Sequence, residues 1–122
     1  MIRVRALTVL PDGRLASGSL DNTIRLWDSK SCTETARLEV HKSWVSTLSV
    51  LPDSDGQGWW LASGSHDKTI RLWDLKVGKE ITRLEVDAPV LSLCVLPAIY
   101  GTRCCLVAGD AIGRLHWLEI VE

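Results

Sequence analysis

Phenylalanine is absent from this chain of 122 residues, tyrosine and methionine occur once each, and proline only four times. No apolar run approaches the roughly 20 residues a helix needs to span a bilayer. Neither charge sign dominates: 14 Lys and Arg against 15 Asp and Glu leave a formal net charge of −1. Such a balance gives no general pull toward nucleic acid or an anionic membrane. The cysteines Cys32, Cys94, Cys104 and Cys105 contain no Cys-x-x-Cys pair. Neighbours 104 and 105 would point to opposite faces of any strand, so buried free thiols are the expectation. Metal-ligand clusters, a glycine-rich phosphate loop and repeated paired carboxylates are also lacking. No metal, cofactor or catalytic residue is therefore expected. The opening Met1 to Arg5 lacks the apolar core of a signal peptide, and the cytoplasm is the expected compartment.

What the chain does have is tryptophan, six of them, at recurring positions. Fixed spacing of a rare residue signals an internal repeat. Residues 15–28 (Leu-Ala-Ser-Gly-Ser-Leu-Asp-Asn-Thr-Ile-Arg-Leu-Trp-Asp) match residues 61–74 at an offset of 46, differing only at Leu20/His66 and Asn22/Lys68. The offset persists through Arg37 to Val40 and Arg83 to Val86. A degraded third copy covers Leu106 to Trp117, with one residue fewer in its tight turn; Trp117 lies 44 residues after Trp73. The intervening segments Val4 to Asp12, Val45 to Asp53 and Val90 to Pro97 also resemble one another. Five extra residues fall within Asp53 to Gly58, a lengthened surface loop by composition.

Each unit reads as four short strands with turns between them. The expected strands cover about 4–10, 15–19, 23–27 and 34–39, then 44–51, 60–65, 69–73 and 80–85, then 90–96, 103–109 and 113–119. Runs are short, β-branched residues are frequent and turn residues come every 8–12 positions, which excludes helix. Apolar residues of both parities in Thr-Ile-Arg-Leu-Trp predict inner strands buried on both faces.

A four-strand unit of this length is the blade of a β-propeller. The pattern Gly-Ser-x-Asp-x-Thr-Ile-Arg-Leu-Trp-Asp resembles the WD40 repeat family over essentially the whole chain, and the near-identity of the first two copies is similar to bacterial WD repeat arrays. The resemblance implies an all-β fold of three propeller blades in an incomplete ring, at about 1–40, 41–86 and 87–122, the last lacking its outer strand. It also implies a structural hydrogen-bond network in blade two of His41, Ser63 or Ser65, Asp67 and Trp73. In blade one the same positions are Ser17 or Ser19, Asp21 and Trp27, and in blade three the tryptophan is Trp117. Ser, His and Asp together can suggest a catalytic triad, but repetition of the set from blade to blade points to scaffolding. For partner contact, the resemblance points to one rim, at Trp44, His66, Leu20 and Arg5. Trp44 leads because Trp is enriched at binding hot spots; its alternative is packing against the network around His41.

Of Trp59 and Trp60, one is expected to face inward, and the other to cover the base of the longer loop or to project as an exposed contact residue. Arg25 and Arg71 are expected to snorkel toward an acidic neighbour or the rim. Three blades leave an apolar face at each end, and such faces mark interaction surfaces. The expectation is an interaction scaffold that closes its ring with copies of itself, as a dimer of six blades or a trimer of nine. The alternative is the C-terminal part of a longer WD-repeat sensor or signalling protein.

Overall fold

The computed structural model describes residues 3–39, 41–52, 58–96 and 105–119. Eleven strands are present among them: β1 Val4–Val9, β2 Leu15–Ser19, β3 Ile24–Asp28, β4 Thr33–Leu38, β5 Val45–Pro52, β6 Trp59–Ser65, β7 Thr69–Asp74, β8 Lys79–Glu85, β9 Val90–Leu96, β10 Cys105–Asp110 and β11 Leu115–Glu119. They form three antiparallel sheets, β1-β2-β3-β4, β5-β6-β7-β8 and β9-β10-β11. The inserted loop at 53–57 and Cys104 lie outside the described residues.

The inner strands are covered on both faces because each sheet packs on the next. One core joins sheets one and two through Leu10, Ala16, Ile24, Leu26, Val45, Leu48, Leu61 and Trp73. A second joins sheets two and three through Leu51, Ala62, Ile70, Leu72, Val90, Leu106 and Ala108. Adjacent strand positions therefore serve different cores: Leu61 faces sheet one while Ala62 faces sheet three. Trp59 and Trp60 divide in the same way, and both are packed. The outer strands β4 and β8 are largely exposed and rich in charged residues.

The sheets interlock where a valine meets a glycine. A Cβ added to Gly18 would lie 2.6 Å from Val45 Cγ1, and one added to Gly64 would lie 2.5 Å from Val90 Cγ1 and 2.7 Å from Thr47 Cγ2. Only glycine permits that approach. Gly64→Ala is expected to destabilise by about 1–3 kcal/mol through overpacking. A urea melt checks this; an unchanged midpoint would mean that the sheets are not held at this contact.

Two expectations change. Cys32 and Cys94 are exposed rather than buried. Cys32 sits in the turn after β3 at φ 57°, and Cys94 lies on a face of β9 that no described sheet covers. Trp117 is also exposed, for a reason of register. Gly64 pairs with Ile70 and Leu61 with Trp73, whereas Gly109 pairs with Leu115 and Leu106 with Leu118. The shorter turn moves the third copy by one position, and one position reverses strand faces. Leu118 thus takes the place of Trp73, and Trp117 points away from the core.

Candidate functional site

The polar network of sheet two is built from β6, β7, the turn between them and the segment before β5. Trp73 Nε1–H donates to Ser63 Oγ at 2.8 Å, and Ser63 Oγ lies 2.7 Å from His41 Nε2. His41 Nδ1 lies 2.8 Å from Asp67 Oδ2. The ionised Asp67 carboxylate can only accept, so Nδ1 carries the proton and donates to it. In the neutral ring Nε2 then accepts from Ser63 Oγ, which in turn accepts the Trp73 N–H.

His41 is neutral in this chain of bonds. Burial pushes its pKa below the usual 6.5, and the Asp67 carboxylate offsets only part of that. For Asp67, burial alone would raise the pKa. The hydroxyl of Thr69, the amide of Lys42 and the ring of His41 outweigh it and hold the carboxyl at about 2.

Ser63, His41 and Asp67 have the distances of a hydrolytic triad, but Ser63 is fully buried and its oxygen already holds the Trp73 N–H. A substrate carbonyl has no path to it. Ser65 has a different role from Ser63. Its hydroxyl donates to the Ser43 carbonyl and accepts the Asp67 amide, which fixes the tight turn.

Sheet one carries the same arrangement without a histidine. Trp27 Nε1–H donates to Ser17 Oγ at 2.9 Å, and Ser19 accepts the Asp21 amide and donates to the Arg3 carbonyl. Here Arg25 Nη2 reaches Asp21 Oδ2 at 2.7 Å, while Arg71 Nη2 stands 3.6 Å from Asp67 Oδ2. The imidazole of His41 occupies the carboxylate oxygen that the arginine otherwise takes.

These two arginines reach acidic neighbours as expected, but from buried positions rather than by snorkelling to water. Arg71 is buried; it donates to Thr69 Oγ1 and pairs with Glu80 at 3.2 Å. Arg25 is held identically by Thr23 and Glu34. Sequence reasoning missed Thr23, Glu34, Thr69 and Glu80. Their signal was present, since each glutamate follows its arginine by nine residues in both copies.

Sheet three replaces the network. Asp110 stands where Ser65 stands in sheet two, one place past the glycine, and its side chain is fully buried. Its carboxylate accepts the amides of Ile112 and Arg114, the Arg114 Nε–H and His116 Nε2 at 2.9 Å. Burial would raise the Asp110 pKa, but these donors hold it well below the usual carboxylate range. Trp117 takes no part in this cluster.

The rim residues gather at the border of sheets one and two. Trp44 is 42% exposed and lies against His66, with ring centroids 4.9 Å apart. The Arg5 guanidinium sits 6.0 Å from the Trp44 ring, a cation–π distance. Backbone pairing fixes the group: the His66 amide donates to the Trp44 carbonyl. Leu20 holds the equivalent place one sheet back, where its amide donates to the Arg3 carbonyl. The structure therefore brings Arg5, Trp44 and His66 together, while Leu20 holds in sheet one the place that His66 holds in sheet two. Among the described residues, no three His, Cys, Asp or Glu side chains gather as a metal-ligand set.

Comparison with known proteins agrees with this architecture. The family model of the TEP-1 C-terminal β-propeller matches residues 41–120, and that of the WD domain, G-beta repeat, matches residues 2–28. Ribosome assembly protein 4 of Chaetomium thermophilum is 50% identical over 40 residues, which are 33% of this chain and 8% of that protein. The β-propeller domain of Cps50 (Swd1) from Myceliophteria thermophila superposes with a TM-score of 0.78 at 24% identity, over 98% of this chain and 36% of that one. The WD40 β-propeller domain of Doa1 gives 0.78 at 25% identity, over 93% and 36%. The RRP9 WD40 repeats give 0.71 at 25% identity, over 88% and 31%. The chain thus spans about a third of these propeller chains and a small part of the curated relative. With repeats, sheets and family match in agreement, the chain belongs to the WD40-repeat β-propeller family.

Proposed function

We propose that this chain is a cytoplasmic protein-interaction scaffold, that its partner docks across Arg5, Trp44 and His66, and that it closes its ring by homo-oligomerisation. The observation that carries the binding reading is Trp44, an exposed indole beside a guanidinium and an imidazole where sheets one and two meet. A large ring fixed in advance makes contact with little loss of entropy. The exposed free thiols Cys32 and Cys94 suit a reducing compartment. The sealed Ser63 and the repetition of its surroundings favour a non-enzymatic role without a cofactor, and the near-balanced charge gives no general pull toward nucleic acid or a membrane surface.

Peptides selected on the immobilised chain test the rim. Trp44→Ala is expected to weaken the selected binders about 10-fold or more. Equal affinity for both proteins contradicts the site. A second reading, a segment of a longer WD-repeat sensor or signalling protein, is favoured by the chain's coverage of only 36% of a solved propeller domain.

A further inference from the structure

We infer that two copies of this chain join head to tail, with Val4 of one copy seated over Gly109 of the next. The inference rests on the ring-closing reading above and specifies its contact. The molecule makes this interlock twice internally, as Val45 over Gly18 and Val90 over Gly64. In both, the glycine belongs to the second strand of one sheet and the valine opens the first strand of the following sheet. One more half of the pair stands at each end. Val4 opens β1 and is 51% exposed. At Gly109 an added Cβ would meet, among the described residues, Ser92 Oγ at 2.8 Å and Leu115 Cδ2 at 3.9 Å, both within its own sheet.

The flanking residues follow the same pattern. Leu48 and Val50 of β5 pack against sheet one; Leu7 and Val9 hold the matching places on β1 and are exposed. Ile70 and Leu72 are covered by sheet three; Leu115 and Trp117 hold the matching places by strand register, and both are exposed. The register shift that takes Trp117 out of the core thus places it on this end face. A polar contact also carries over. Thr47 Oγ1 accepts the Leu93 amide across the second junction at 3.2 Å, and Ser92 and the Leu7 amide hold those two positions at the ends.

The pairing has polarity. Head against head sets valine against valine and offers no glycine. Head against tail is heterologous, and with two copies it closes on itself as a six-bladed ring.

Light-scattering masses of the wild type, Val4→Asp, Gly109→Val and an equimolar mixture of the two variants test the inference. The wild type is expected at two chains and each variant alone at one. The mixture is expected to recover a two-chain species, because intact tails of the first variant meet intact heads of the second. Both substitutions lie outside the two internal cores, and circular dichroism melts verify folding. If either variant melts early, Val4→Ser and Gly109→Ala are read in the same way. Variants that stay at the wild-type mass overturn the interlock and leave self-association standing. Loss from one variant only, with no recovery on mixing, overturns the head-to-tail polarity. A wild type at one chain overturns both the interlock and self-association, and leaves the rim site untouched.

Discussion

Arg71→Ala is expected to cost about 3–5 kcal/mol. Arg71 is 2% exposed and donates to Thr69 between two carboxylates, those of Asp67 and Glu80. Its removal leaves those acids partly buried without their shared cation. Glu80 retains Arg83, but that arginine is half exposed and its pairing is screened. The matching Arg25→Ala is expected to cost less. Asp21 is 30% exposed where Asp67 is 6% exposed, so water can solvate the carboxylate left behind. Guanidinium melts of the two variants check the ranking. Equal losses would mean that burial of the acid does not set the cost.

His41→Ala carries the second large effect, about 2–4 kcal/mol, from a lost buried side chain and unsatisfied hydrogen-bond partners. Sheet one limits the loss. It shows that an arginine closes onto the carboxylate at 2.7 Å when no imidazole is present, so Arg71 is expected to move in on Asp67.

The same variant separates two pH effects. The folded pKa of His41 is below its unfolded 6.5, so the unfolded chain binds the proton first. The stability it contributes is complete above about pH 6.5 and falls as pH drops toward the folded pKa. Asp67 is lowered from 3.8 to about 2, so its contribution is complete above pH 3.8 and is lost toward pH 2. That second loss is on the order of 2 kcal/mol. Tm measured against pH is expected to fall in both windows for the wild type. In His41→Ala the upper window flattens. An unchanged upper slope in the variant would mean that His41 is not the group titrating there.

The blade architecture was legible because its signals are local. Turn residues and a 46-residue offset set the strand positions, and eleven strands are present among the described residues. Burial of the inner strands on both faces followed from apolar residues of both parities. The site was legible only in part. Side chains two positions apart on one strand were readable, as with Ser63 and Ser65 on one face of β6. The arginine clamps were not. Each depends on a bulge, between Leu26 and Trp27 or between Leu72 and Trp73, that brings Glu34 or Glu80 opposite the tryptophan. Composition does not show where a ladder slips.

Trp117 shows the opposite failure. Its alignment with Trp73 ignored the parity of an eight-residue against a nine-residue step from the glycine. Strand faces alternate, so similarity of sequence gave the wrong side of the sheet. The third sheet also replaced the serine after the glycine with Asp110 and drew in His116 from β11, a substitution of charge for hydroxyl that the first two copies do not contain. The exposed thiols follow from the same limit. Cys94 sits on a strand that is buried on one face and open on the other.

These differences converge on the end faces. Val4, Leu7 and Val9 at one end, and Leu115 and Trp117 at the other, are the apolar residues that the internal junctions cover at their matching positions. A stable single chain would keep both faces in water at a cost that grows with apolar area. The mass of the wild-type chain in solution tests the account most directly. Light scattering across a concentration series is predicted to give twice the 13.5 kDa chain mass as the main species. A monodisperse single-chain mass at every concentration would contradict it.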